Sequence, residues 1–166
     1  MDLTFGPLLS EQISDALVVA ELGRRDISAT AFVNTMPGVD IPIIAHKGDK
    51  SLALQARALR DGISDFDARQ FVDIETGADG RECLVPRDPG PDLIYVFVLI
   101  RRGGPHDRFF IVPRDDLQAW IECRCRALLR ETGARAPRRF DPLPVTITLA
   151  DLAPHEGAWH VIIDRL

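Results

Sequence analysis

No apolar stretch of this sequence approaches the roughly 18 residues that a membrane span needs, and 27% of its residues are charged, so no segment reads as transmembrane. The opening Met1-Asp2-Leu3-Thr4-Phe5-Gly6-Pro7 places no basic stretch before an apolar one, which speaks against a secretory signal. Cysteine is scarce: Cys83, Cys123 and Cys125 are an odd number in a chain of ordinary size, which argues against a disulfide framework and for reduced thiols. A soluble, cytoplasmic protein is expected. Cys123 and Cys125 stand two apart in a segment with helical periodicity, where their side chains point about 200° apart and cannot grip one metal. There is no glycine-rich phosphate loop of the G-x-x-x-x-G-K or G-x-G-x-x-G type, and Gly103-Gly104-Pro105 reads as a turn. His155 and His160 are five apart, not four, so on a helix they miss the common face that a zinc-protease motif requires. No internal repeat or low-complexity tract is visible.

What is present is enough apolar material for a core. With 166 residues, 46% of them hydrophobic, one domain needs neither disulfide nor metal to hold it. A net charge of −5 and a pI near 5.3 give no general attraction to nucleic acid. The positive charge is mostly arginine and is unevenly placed, at Arg101-Arg102, at Arg124, Arg126 and Arg130, and at Arg135, Arg138 and Arg139. Two readings stay open for these clusters, a solvated face with a polar linker or a surface that contacts phosphates.

Apolar residues at 13, 16, 17 and 20 fall at helical spacing over 10–25, with Ser10 as a suitable N-cap. Three short apolar or β-branched runs follow at 27–33, 39–45 and 51–59. They are separated by Met36-Pro37-Gly38 and by a Lys47-Gly48-Asp49 stretch suited to an antiparallel hairpin. Residues 60–92, rich in glycine and proline, predict loop with one short element near 70–74. The continuous apolar run 93–100 predicts a strand buried on both faces at the sheet centre. A strand over 108–112 and a helix from about Asp115 follow, with Leu117, Trp120, Ile121 and Leu128 on one face and Gly133 as its stop. Residues 136–144 read as an extended linker, 145–149 as an edge strand, and 159–163 as strand or helix. The fold class expected is α/β, a mixed sheet flanked by helices in one domain over 1–166, with its core at about 10–130 and a C-terminal extension at about 137–166.

One position carries chemistry. Side chains alternate along a strand, so Gln55 and Arg57 share a face with Ser51 and Ala53, while Leu52, Leu54, Ala56 and Ala58 share the other. If Asp40 on the paired strand faces the same way, its carboxylate can approach Gln55 closely enough for one oxygen-ligated ion such as magnesium, which would polarise a phosphate oxygen and acidify a bound water. The plainer alternatives are a strand-entry turn for Asp40, the exposed face of an edge hairpin for Gln55 and Arg57, and ordinary helix solvation for Asp15.

In order and spacing, the segments 13–25, Gly38-Val39-Asp40-Ile41 and Leu54-Gln55-Ala56-Arg57 resemble the PD-(D/E)XK nuclease superfamily. Asp92-Leu93-Ile94-Tyr95-Val96-Phe97-Val98, Phe110-Ile111-Val112-Pro113-Arg114 and Trp159 are further similar to a group of small bacterial domains within it. The resemblance implies a restriction-endonuclease-like αβββαβ core. It also implies a site in which Asp40, Gln55 and Asp15 bind magnesium or manganese while Arg57 stands in the place of a lysine that assists the attacking water. Two departures bear on activity. Glutamine for an acid removes one negative charge from the metal shell. Arginine for lysine keeps the charge but cannot act as a base. The function implied is a nuclease-like protein that acts on or binds DNA, with metal-dependent phosphodiester hydrolysis weakened or lost. The alternative is a non-enzymatic protein-interaction or self-association module on the same scaffold, for instance a homodimer.

Overall fold

The computed structural model describes residues 6–32, 43–76, 82–87, 92–101, 106–131 and 143–166. It is a mixed α/β structure built on a five-stranded sheet. Helix α1 (Pro7–Gly23) precedes β1 (Ser28–Thr30), β2 (Ile43–Lys47) and β3 (Lys50–Ala58). Its N-cap is Gly6, with Pro7 in the first turn, where its missing N–H goes unneeded. Ser10, expected to cap, lies inside the helix, and its hydroxyl donates back to the Gly6 carbonyl. The apolar periodicity starts later than the helix does, and so it hid this first turn.

The three strands form an antiparallel meander, with β2 and β3 joined by the tight Gly48-Asp49 turn in register Ile43 opposite Leu54 and Lys47 opposite Lys50. Strand β7 (Leu93–Leu99) lies parallel to β3, and β8 (Arg108–Pro113) returns antiparallel to β7. The order β1-β2-β3-β7-β8 makes β3 the middle strand and β7 its interior neighbour. β7 is apolar throughout because both faces are covered. Tyr95 and Phe97 join one core cluster, and Ile94, Val96 and Val98 join the other.

Residues 60–92 are more ordered than their composition predicts. They hold β4 (Ile63–Asp67), a 3-10 turn over Ala68–Gln70, β5 (Val72–Thr76) and β6 (Glu82–Pro86). Asp67 caps the turn by accepting from the Arg69 N–H, and it also accepts from the Leu143 N–H. Among the described residues this crossover contains no α-helix, where an αβββαβ order would place one. The helix on that face comes instead from α2 (Arg114–Glu131), which follows β8. β5 and β6 form a hairpin, and β4 pairs with β9 (Pro144–Thr148). The chain ends in α3 (Leu149–Leu152), a 3-10 turn over Ala153–His155, and α4 (His160–Ile163), which settles 159–163 as a short helix.

Two apolar cores lie on the two sides of the large sheet. Val18 and Leu22 of α1 pack on Ile43, Ala45, Leu52, Leu54 and Ala56, with Trp159 and Ile162 from the C-terminal segment. On the opposite side Phe66, Phe71, Tyr95, Phe97 and Phe110 meet Leu117, Ile121 and Cys125 of α2 and Val145 and Ile147 of β9. Residues 143–166 therefore complete both cores. The i, i+4, i+8 spacing of Leu117, Ile121 and Cys125 defines the inward stripe of α2; Leu128 lies on the same side of the helix, nearer its C-terminal end, but is 39% exposed. No described helix is long and apolar enough to cross a membrane.

Candidate functional site

The alternation along β3 decides where its polar side chains go. Leu52, Leu54 and Ala56 are buried against α1, so Gln55 and Arg57, both half-buried, project from the other face. Parallel pairing sets Gln55 beside Tyr95 and Arg57 beside Phe97. The Arg57 guanidinium lies over the Phe66 ring, 5.2 Å from its centre. Phe66 in turn makes edge contacts with Phe71, Tyr95 and Phe97 at 5.8–5.9 Å. A flat, weakly hydrated guanidinium suits a wall of this kind better than a compact, strongly hydrated ammonium would. Arginine at the position where the resemblance expects lysine therefore has a packing reason.

Asp15 is on α1, adjacent to the buried stripe of Ser14, Val18 and Leu22 that faces Leu54 and Ala56. Gln55 and Asp15 consequently leave the backbone on opposite sides of the sheet, and the structure does not bring them together. Asp40 lies outside the described residues. Gln55 and Arg57 are brought together, two residues apart on one face.

The helix carboxylate that does reach β3 is one the sequence reading passed over. Leu59 N–H donates to the Val98 carbonyl of β7 at 2.8 Å, so the preceding amide, Ala58 N–H, must point to the β2 side of the strand. Glu11 takes it, with its carboxylate 3.2 Å away. Glu11 and Asp15 are four apart on one helix flank, and that spacing was the available signal. Gln55 is neutral and shares its face with a cation, Glu11 is engaged by the Ala58 amide, and among the described residues no three His, Cys, Asp or Glu side chains cluster as a metal shell would require.

The arginine clusters divide on inspection. Arg124 pairs with Asp151 at 2.6 Å and donates to the Thr146 carbonyl, tying α2 to β9 and α3. Arg126 pairs with Glu122 one turn earlier at 3.3 Å. Arg101 and Arg130 are exposed, while Arg102, Arg135, Arg138 and Arg139 lie outside the described residues. His155 makes a 3.2 Å contact from Nδ1 to the Ile111 carbonyl and stacks edge-on to Trp120, whereas His160 is exposed on α4. Comparison of the chain with protein-family models, with curated proteins and with solved structures finds no match.

Proposed function

We propose that this protein is a nuclease-like α/β domain that binds DNA and whose metal-dependent hydrolysis is weakened or lost. The observation that carries the reading is the polar face of β3. There a neutral amide and a guanidinium stand side by side on the middle strand of the sheet, with an aromatic wall beneath the cation. Such a face favours a phosphate oxygen and disfavours a dication, the reverse of what a metal-dependent hydrolase needs. The succession of a helix, an antiparallel three-stranded meander and a strand parallel to the third supports the resemblance. The absence of an α-helix among the described residues of the crossover and the separation of Asp15 from Gln55 count against a working metal site on the same plan.

Incubation with plasmid and single-stranded DNA in magnesium or manganese, beside Asp40→Ala, tests the catalytic half. Little or no cleavage is expected, and rapid, complete cleavage abolished by Asp40→Ala would overturn the reading of a weakened or lost activity. A retention assay across a salt series tests binding. DNA should be held at low salt and released steeply as salt rises, with Arg57→Gln weakening retention in protein that circular dichroism shows to be folded. Absence of retention at low salt would sink the DNA reading.

A further inference from the structure

The outward face of α2 is unlike a randomly solvated helix surface. Opposite its buried Leu117, Ile121 and Cys125 stripe, the helix presents Asp116, Ala119, Cys123, Arg126, Ala127 and Arg130, all exposed. These positions fall within about 60° of Cys123 around the helix axis at 100° per residue. Small side chains occupy the middle, an acid stands at the N-terminal end and bases at the C-terminal end. A groove of about 430 Å³ runs along this face, lined by Ala119, Glu122, Cys123, Arg126, Ala127 and Arg130.

The order of charge is self-complementary. Asp116 lies seven residues before Cys123 and Arg130 seven after it, two turns or about 10.5 Å on either side. Ala119 and Ala127 are likewise placed four before and four after. A two-fold axis through Cys123, with the second helix running antiparallel, therefore sets Asp116 against Arg130, Ala119 against Ala127, and Cys123 against its own copy. A two-fold interface requires this kind of pairing, residue i on j and j on i. A parallel arrangement would set Asp116 on Asp116 and Arg130 on Arg130. Alanine and cysteine at the crossing let two backbones come near the 8 Å end of helix packing distances.

We propose that this face of α2 is the contact surface of a homodimer, two copies of the chain packing α2 on α2 antiparallel about Cys123. The complementarity of charge about one residue is what selects a second copy as the occupant. One helix face is small beside the roughly 800 Å² per partner of a standard interface, so the dimer is a concentration-dependent one. The inference is independent of the DNA reading, since it uses neither β3 nor its neighbours.

Sedimentation velocity over a micromolar-to-millimolar series, at low salt, is the experiment. Wild type should shift from monomer to dimer. Asp116→Arg and Arg130→Asp should each remain monomeric over a range at least tenfold higher in concentration, and the double variant Asp116→Arg/Arg130→Asp should dimerise again. Both sites are exposed, and circular dichroism confirms that each variant is folded. With copper-phenanthroline as the oxidant of two thiols, a Cys123 disulfide dimer should form in wild type and in Cys83→Ala, but not in Cys123→Ala. Monomer throughout, a dimer insensitive to either charge reversal, or failure of the double variant to recover association would each overturn the proposal.

Discussion

Replacing Trp159 by leucine keeps an apolar group between α1 and β8 but removes the ring face on which Arg25 rests. Trp159 is 7% exposed, with the Arg25 guanidinium 4.2 Å from its centre and Phe109 packed against it at 5.4 Å and 51°. The Arg25 side chain is 29% exposed, between the fully solvated case, worth about 0.5 kcal/mol, and the desolvated one, worth about 2, so the pair should contribute about 1 kcal/mol. Arg25→Ala alone overstates this. The same guanidinium donates to the Glu21 carboxylate at 2.6 Å and to the Glu21 carbonyl at 2.7 Å, and both bonds vanish with it. A double-mutant cycle of Arg25→Ala and Trp159→Leu, read by urea unfolding, isolates the ring contact. With slopes of about 1–3 kcal/mol per molar urea, a coupling of about 1 kcal/mol shifts the midpoint by roughly 0.3–1 M beyond the sum of the single effects. Trp159→Ala should cost about 3–5 kcal/mol through the cavity it leaves. Additive single effects would refute the cation–ring account, and a cost under about 1 kcal/mol for Trp159→Ala would refute the placement of the C-terminal segment in the core.

Gln118 is 7% exposed and donates from Nε2 to the Phe71 carbonyl at 3.1 Å and the Arg87 carbonyl at 2.9 Å, so Gln118→Leu should destabilise by about 2–4 kcal/mol in chemical denaturation by stranding both acceptors. A loss within error of zero would show that water replaces the amide. The Arg108 bond holds the Glu156 carboxylate below its usual range, so the pair stabilises the fold at neutral pH and that contribution disappears as pH falls through the lowered value. Glu156→Gln should therefore lower the melting temperature slightly at pH 7 and not at all below the carboxylate range, and an equal effect at both pH values would exclude the ion pair as its cause. Burial, with Asp67 and Glu122 nearby, pushes the Cys125 thiol up to about 11, while Cys83 and Cys123 are exposed. A thiol reagent at pH 8 should titrate two of the three cysteines in the native protein and the third only on unfolding, and prompt reaction of all three would contradict the burial. Gly62 has φ +79°, and an added Cβ would lie 2.8 Å from Leu149 Cδ1, so Gly62→Ala should cost about 1–3 kcal/mol in a thermal melt, with no change in melting temperature refuting it.

Wherever local pattern and final environment agree, the sequence alone determined the outcome. The hairpin of β2 and β3 and the strands β7 and β8 followed from periodicity and turn residues, because each element's apolar side is the side it buries; α1 is a helix as its periodicity predicted, but it buries Ser14, Val18 and Leu22, while Ala16 and Ala20 of the expected stripe are exposed. Strand alternation likewise determined that Gln55 and Arg57 share a face, since that depends on the pleat and on nothing distant. The crossover was illegible for the opposite reason. In β4 the inward positions are Ser64 and Phe66, with Ser64 8% exposed, while Ile63 points outward at 40%, so the hydrophobic pattern contradicts the burial. Only pairing with β9, some 80 residues away, makes it a strand. Tertiary structure alone decided which side of the sheet each chemical group occupies. Asp15 and Gln55 belong to a coherent list in sequence, but α1 packs on the Leu54 and Ala56 face and Arg57 on the Phe66 face, with a sheet between. Spacing along a chain carries no information about that sign, which is set by where the large aromatic residues of the crossover and α2 find their burial.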